Sequence, residues 1–311
     1  MDTTWDCIVV GGGAAGLSAA LVLGRARRRT LLVDAGGQSN RIAAGIGGLL
    51  GHDGRPPTGL YTAGRAELAA YPTVEVRDAA VRSGERRGDG FALDLVDPGP
   101  AVTRRVLLAT GMDYRYPPLP GIPPRWGHSV FHCPFCHGWE VRGRPLGVLG
   151  GDAMAAQRAL LLRMWSDDVT LFAGGPADLA TGDAERLAAA GVAVEERPVA
   201  GLRGPEPGLD AVVLGDGTER ACAGLLVPVT LHQRSDLAAR LGAALAPAGL
   251  AADAITVGPT SETSVPGLYA AGDLTGTMPS VANAVAVAAG AAAAVVHSLA
   301  EDLAGRAPAA A

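Results

Sequence analysis

Short apolar runs recur along the chain, most of them closing on glycine. Trp5 to Val10 reads as a buried strand ending in Gly11-Gly12-Gly13-Ala14-Ala15-Gly16. Helical apolar spacing follows to about Arg25, and Thr30 to Val33 is a second strand ending at Asp34. A helix is expected over Thr58 to Ala70, and Val74 to Leu95 alternates as short strands about the turn Arg87-Gly88-Asp89-Gly90. Val106 to Ala109 is another buried strand, closing on Thr110-Gly111. Pro117, Pro118, Pro120, Pro123 and Pro124 then form a stiff, unhelical connector, the first expected domain boundary.

Beyond the connector the opening pattern repeats. Leu146 to Leu149 runs into Gly150-Gly151-Asp152-Ala153-Met154-Ala155, a helix continues to about Trp165, and Val169 to Phe172 is the next strand. Val192 to Glu195, Ala211 to Leu214 and Leu225 to Val229 extend this second half, and Leu231 to Leu241 leads out of it. Ala254 to Val257 and the turn Ser264-Val265-Pro266-Gly267 precede a buried strand from Leu268 that ends in Gly272-Asp273. Met278-Pro279-Ser280 enters an alanine-rich helix, and Ala307 to Ala311 is expected to fray. Two strand–glycine turn–helix–strand units in one chain predict an α/β protein with two Rossmann-like, three-layer nucleotide-binding domains.

At 311 residues the chain exceeds what one hydrophobic core usually supports, which agrees with two domains. Aromatics are only 4%, so the core must be built from Ala, Val and Leu. A net charge of -5 gives no basic footprint for nucleic acid. All 26 basic residues are Arg, a bias of composition with no functional reading. Four cysteines, Cys7, Cys133, Cys136 and Cys222, are no secreted disulfide framework, and one close pair suggests redox or metal chemistry in the cytoplasm. Met1 to Val10 has two aspartates and no basic segment, so no signal peptide is expected there. The most membrane-like stretch, Val281 to Val296, is mostly Ala with Asn283 and Gly290. It falls short of the roughly 20 apolar residues a span needs, so a buried helix is expected.

The first glycine turn has its full context. Gly11 suits the tight turn, Gly13 lets the backbone approach a pyrophosphate, Gly16 lets the helix pack on the strand, and Asp34 is placed to accept from ribose hydroxyls. The alternative is a glycine-rich turn with no ligand. The second turn is a worn copy. Asp152 replaces the middle glycine, and Ala173-Gly174-Gly175 after the next strand offers neither an acid for a 2′-hydroxyl nor an arginine for a 2′-phosphate. Between the turns lies Cys133-Pro134-Phe135-Cys136-His137, a pair that can close and reopen a disulfide. A zinc half-site or inert packing are the alternatives, though no second Cys or His pair has ligand spacing and no metal is expected. His137 can move thiol protons near neutral pH or merely bond a backbone carbonyl. His132 and His128 are weaker candidates, and Cys7 and Cys222 read as small buried hydrophobes.

These landmarks, with Gly36-Gly37-Gln38, Ala109-Thr110-Gly111 and Ala271-Gly272-Asp273, resemble the low-molecular-weight thioredoxin reductases over essentially the whole chain. The resemblance implies a homodimer with FAD in a discontinuous domain, residues 1–117 plus 248–311, and a dithiol on an inserted central domain, residues 118–247. Carried over, Gly11, Gly13, Ala14 and Gly16 form the pyrophosphate turn, and Asp34 and Gln38 lie on the adenosine side. Thr110 and Gly111 line the flavin groove, and Gly272 and Asp273 meet the ribitol or pyrophosphate. Three features depart from the reductases. His137 stands where they carry an aspartate, the second glycine turn and its arginine cluster are missing, and Asn283 to Val285 replaces Arg-Gln-Ala. The departures are similar to the reductase-derived dithiol oxidases that close the disulfides of gliotoxin, holomycin and romidepsin, whose signature Cys133 to Glu140 fits throughout. Gly51-His52-Asp53-Gly54 also looks like that branch.

That branch implies oxidation of a small-molecule dithiol through Cys133 and Cys136, with His137 as acid and base and FAD passing electrons to O2. NADPH is expected not to bind, and His52, His132 and Met278 are expected to line the substrate pocket. Two other readings stay open: an NADPH- or ferredoxin-fed disulfide reductase, and a non-catalytic protein that shields a reactive dithiol.

Overall fold

Strand β1 (Trp5–Val10) is buried along nearly all its length, as a parallel strand covered on both faces must be. The chain turns through the first glycine run into α1 (Ala14–Arg25), returns as β2 (Thr30–Asp34) and reaches α2 (Pro57–Leu68) after a long loop. Then come β3 (Val74–Asp78), β4 (Val81–Arg87), β5 (Gly90–Leu95) and β6 (Pro100–Leu108). They form one sheet in the order β3-β2-β1-β6-β5-β4. Here β1 runs parallel to β2 and β6, and β4, β5 and β6 make an antiparallel meander. The structure is a computed structural model describing residues 4–97 and 99–304, so Met1 to Thr3 and the expected tail at Ala307 to Ala311 lie outside the described residues.

After β7 (Met112–Arg115) and β8 (Val130–Phe131), the one-turn helix α3 (Pro134–His137) carries the dithiol segment. The repeat follows as β9 (Leu146–Leu149), α4 (Ala153–Leu162), β10 (Val169–Phe172), α5 (Thr181–Ala189) and β11 (Ala193–Glu195). An antiparallel trio, β12 (Val199–Arg203), β13 (Ala211–Leu214) and β14 (Glu219–Ala221), precedes β15 (Gly224–Leu226). The five-stranded sheet β11-β10-β9-β15-β8 is parallel throughout, the second Rossmann-like sheet expected from the pattern. Phe131, Leu146, Val148, Ala156, Leu162 and Leu171 form its core against α4.

β16 (Thr230–Gln233) pairs with β7, and α6 (Leu237–Arg240), β17 (Leu268–Ala270) and α7 (Val281–Ala304) complete the chain. β17 joins the first sheet in parallel beside β6. Ala254 to Val257 forms no ladder, and single bridges, Ile255 to Leu245 and Val257 to Thr263, tie it to its neighbours. Helix α7 runs 24 residues, past the apolar stretch seen in the sequence. By length and composition it could cross a membrane, with mean hydropathy 1.6. In this fold its Ala284, Ala288, Ala291, Ala292, Val295 and Leu299 face pack into the core with α1.

Contacts divide the chain into two units. The first holds the chain up to Arg41, Arg55–Tyr114 and the chain from Leu231 onward, and the second holds Ile42–Gly54 and Arg115–Thr230. The return crossing therefore comes earlier than residue 248, because α6 packs on the first sheet: a Cβ on Gly84 of β4 would meet Leu237 and Leu241 side chains. Ile42–Gly54 departs the other way, joining the second unit although both its flanks belong to the first.

Candidate dithiol and nucleotide sites

Cys133 is extended (φ −128°, ψ 113°) and caps α3, whose first residue, Pro134, has no N–H to leave unpaired. This puts two backbone donors beside one sulfur. The Cys136 thiol, 2.7 Å away, and the N–H groups of Cys136 and Phe135 outweigh burial and bring the Cys133 thiol down to about 7. The other two cysteines are inert by the same physics. Complete burial pushes Cys222 up to about 12 and raises Cys7 further.

His137 closes the same helical turn. Its ring stacks on Phe131 with centroids 5.6 Å apart and planes 10° from parallel. Both ring nitrogens are buried without a hydrogen bond of full geometry, although the backbones of Gly127 and Cys133 lie close enough to oppose the effect of burial on the ring. Burial lowers its pKa, leaving a neutral imidazole that can accept a proton. His132 lies beside the indole of Trp126, centroids 5.8 Å apart. Burial, then the charges of His137 and Arg158, hold its pKa down at about 4. His132 therefore also stays neutral near pH 7.

The segment Ile42–Gly54 reaches this helix from outside the dithiol sequence. It is a closed loop: Gly54 N–H donates to Ile46 O at 2.8 Å, and Gly48 N–H donates to Asp53 Oδ1 at 2.9 Å. Ile46 is its buried anchor. Gly47 lies so close to α3 that a Cβ there would stand 2.8 Å from Cys136 O. The loop thus brings His52 into the unit that holds the dithiol, with its N–H donating to Leu49 O at 2.8 Å. Met278, the other expected pocket residue, belongs to the first unit. It is 76% exposed, and its carbonyl accepts from the Asn283 side chain. Neither Gly47 nor Phe131 was singled out by sequence reasoning. The glycine-rich run from Ala43 to Gly54 was the only signal for the first.

In the first unit the glycine turn is built for close approach. Gly11 takes φ +111°, and a Cβ there would sit 2.3 Å from Ala109 O. A Cβ on Gly16 would lie 1.7 Å from Gly11 O. Gly13 caps α1 without a side-chain acceptor, and no acid occupies the first turn, so Ala14 and its neighbours leave an N-terminus suited to a phosphate. Asp34 ends β2 beside this turn, a Cβ on Gly12 reaching 2.3 Å from its carboxyl carbon. Burial raises the Asp34 carboxyl, but Arg65 and the Gly36 N–H together bring it below its ordinary value. Thr110 and Gly111 follow β6, and Asp273 follows Gly272, which has φ +91°. The Tyr114 hydroxyl donates to Asp273 Oδ2 at 2.9 Å, and burial raises the Asp273 carboxyl. An open helix N-terminus, a ribose-type acid and a close-packed backbone fit a flavin dinucleotide. Arg65 and Tyr114 gave no sequence signal among 26 arginines and 5 tyrosines.

The second glycine turn has the opposite chemistry. Asp152 caps α4, its side chain accepting from the Ala155 N–H at 2.8 Å, so this helix N-terminus carries its own carboxylate acceptor. The Asp178 N–H donates to Gly151 O at 2.8 Å, folding the loop after β10 back onto the turn. Among the described residues, no group of three or more His, Cys, Asp and Glu side chains could hold a metal ion.

Residues 5–288 match the pyridine nucleotide-disulphide oxidoreductase family. The chain is similar to thioredoxin reductase sirT of Leptosphaeria maculans, 32% identical over 285 residues, 86% of this chain and 86% of that protein. It superposes on the crystal structure of HlmI with a TM-score of 0.88 and 37% identity, covering 97% of this chain and 95% of that one. It superposes on an oxidoreductase from Agrobacterium tumefaciens with a TM-score of 0.90 and 35% identity, covering 96% and 99% respectively. With two Rossmann-like units and a thiol pair between two glycine turns, the chain belongs to the pyridine nucleotide-disulphide oxidoreductase family and is thioredoxin reductase-like.

Proposed function

We propose that this oxidoreductase closes a small-molecule dithiol into a cyclic disulfide through Cys133 and Cys136, with FAD and dioxygen as successive electron acceptors. The observation that carries this reading is Asp152 on the N-terminus of α4, where a reductase needs room for a nicotinamide nucleotide. A nicotinamide site blocked in this way favours electrons that enter from a thiol through the cysteine pair. The resemblance to the oxidases of gliotoxin, holomycin and romidepsin supplies the substrate class, a disulfide natural product such as holomycin. The thioredoxin reductase resemblance implies a homodimer, and the sparse cysteines favour action in the cytoplasm.

A substrate thiolate attacks Cys133 of the oxidised pair, forming a mixed disulfide and releasing Cys136 as a thiolate. The second substrate thiol loses its proton to neutral His137 and attacks the substrate sulfur bound to Cys133. Cys133 then departs as a thiolate, and its pKa of about 7 makes it a good leaving group. The product is the cyclic disulfide, and the enzyme holds two electrons as a dithiol. Gly11, Gly13, Ala14 and Gly16 would hold the FAD pyrophosphate, Asp34 its adenosine ribose, and Thr110, Gly111, Gly272 and Asp273 the remainder. FAD held there would supply the two-electron acceptor for the Cys133 and Cys136 thiols, with dioxygen reduced to hydrogen peroxide as the final acceptor.

Aerobic turnover of reduced holomycin-like and gliotoxin-like dithiols tests this, with peroxide measured and Cys136→Ser as control. Anaerobic addition of NADPH separates it from a disulfide reductase, the reading favoured by the reductase names of the relatives. Rapid bleaching of the flavin by NADPH would sink the oxidase. Absence of peroxide from every dithiol in air would point instead to a protein that only binds and shields one.

A further inference from the structure

We infer that Arg65 is a positioning residue that aims Asp34 at the adenosine ribose of the flavin, and that the Gln38 carboxamide holds the ribose's place until it binds. This rests on the flavin reading above and assigns roles within that site.

Asp34 is 5% exposed and surrounded by donors. Oδ1 accepts from the Gly36 N–H at 2.9 Å and from Gln38 Nε2 at 3.2 Å. Oδ2 accepts from Arg65 Nη2 at 2.5 Å and from the same Gln38 nitrogen at 3.2 Å. Gln38 Nε2 also lies 3.2 Å from Gly12 O. One carboxamide nitrogen has two hydrogens, so it cannot serve three acceptors at once, and every contact is at the long limit for N–H···O. The Arg65 contact is short and charge-assisted. A ribose hydroxyl that donates to Asp34 must displace a donor, and the weakly held one is Gln38.

The register of the sheet explains why an arginine is needed. Asp34 ends β2 directly opposite Asp78 at the end of β3. Two carboxylates side by side on adjacent parallel strands repel. Arg65, delivered by α2, bridges both, 2.5 Å from Asp34 and 2.6 Å from Asp78. Removing it leaves Asp34 facing a like charge without the donor that fixes its Oδ2, free to rotate from the nucleotide and easier to protonate.

The two side chains therefore differ in effect, although both touch Asp34. Apoprotein titrated with FAD, followed by flavin fluorescence, should show Arg65→Ala binding about ten- to a hundredfold more weakly, the loss of one charge-assisted hydrogen bond. Arg65→Lys should recover part of that loss. Gln38→Ala should bind FAD as well as the wild type or better. An FAD analogue whose adenosine ribose lacks both hydroxyls should bind wild type and Arg65→Ala alike. Equal weakening of FAD and analogue by Arg65→Ala would mean a merely structural role and overturn the positioning assignment. A tenfold loss of FAD in Gln38→Ala would overturn the place-holding one. A wild-type apoprotein that binds no FAD would overturn the flavin reading first, an outcome visible before any variant is compared.

Discussion

Asp152 Oδ1 accepts the Ala155 N–H at 2.8 Å, so the second glycine turn opens a helix whose N-terminus already carries an anion. Gly13 occupies the same place at the first turn and brings no acceptor. A helix N-terminus has unpaired N–H groups and partial positive charge, and it is satisfied either by its own cap or by a ligand's phosphate. One fold repeated in one chain thus has one helix N-terminus without a side-chain cap and one capped by its own carboxylate.

Asp152→Ala should lower stability by about 1 kcal/mol in urea unfolding, the usual effect of losing an N-cap acceptor. The same variant should bind NADPH more tightly than the wild type in calorimetry, because the repelling carboxylate is gone. The gain stays limited, since Ala173-Gly174-Gly175 still offers no arginine to a 2′-phosphate. A wild type that binds NADPH as tightly as the variant contradicts the self-capping argument.

Cys133 should react with iodoacetamide as a thiolate far below the usual thiol range. A pKa of about 7 leaves half of it ionised at pH 7, against roughly 3% for a thiol at about 8.5. The first cause is the Cys136 thiol, so in Cys136→Ala the midpoint of the alkylation profile should move up toward the ordinary value. A profile unchanged by that substitution would assign the depression to the backbone N–H groups alone.

Much of the scaffold was legible because it is carried by local pattern. The βαβ units announce themselves through apolar runs that end on glycine, and Asp34, Asp152 and Asp273 sit at the ends of those runs. The dithiol is legible for the same reason, three residues apart on one turn. What stayed hidden is what long-range packing supplies. Arg65 meets Asp34 only once α2 lies against the sheet, and Phe131 meets His137 only because β8 stops just before α3. The loop Ile42–Gly54 joins the dithiol unit through contacts to Cys136 and Gly127 that sequence distance conceals. The return crossing near Leu231 was misplaced because a four-residue helix, α6, gives too little periodicity to reveal its host sheet.

His137→Phe keeps a ring to stack on Phe131 and removes both nitrogens. It should lower dithiol oxidation by about a hundredfold or more, the usual contribution of a general base. On the proposed mechanism the imidazole works in its neutral form, and burial lowers its pKa. The limb that belongs to His137, absent from the His137→Phe profile, should therefore lie below the ordinary histidine range, apart from the ionisation of the substrate thiol. A kcat that falls as pH rises through the ordinary value of about 6.5, in the wild type and not in His137→Phe, would show that protonated His137 is the working form.

Gly47→Ala tests whether the loop from Ile42 to Gly54 holds the dithiol in place. The new Cβ would stand 2.8 Å from Cys136 O and 3.1 Å from its Cα, both backbone atoms that cannot swing aside. Either the loop lifts or α3 shifts, and overpacking of this kind lowers stability by about 1–3 kcal/mol. If α3 shifts, the N–H groups of Phe135 and Cys136 move relative to the Cys133 sulfur, so its alkylation midpoint should rise from about 7. Flavin affinity should be unaffected, because the nucleotide residues belong to the other unit. A variant with lowered stability but an unmoved Cys133 midpoint would show that the loop lifts and that the dithiol turn keeps its geometry without it.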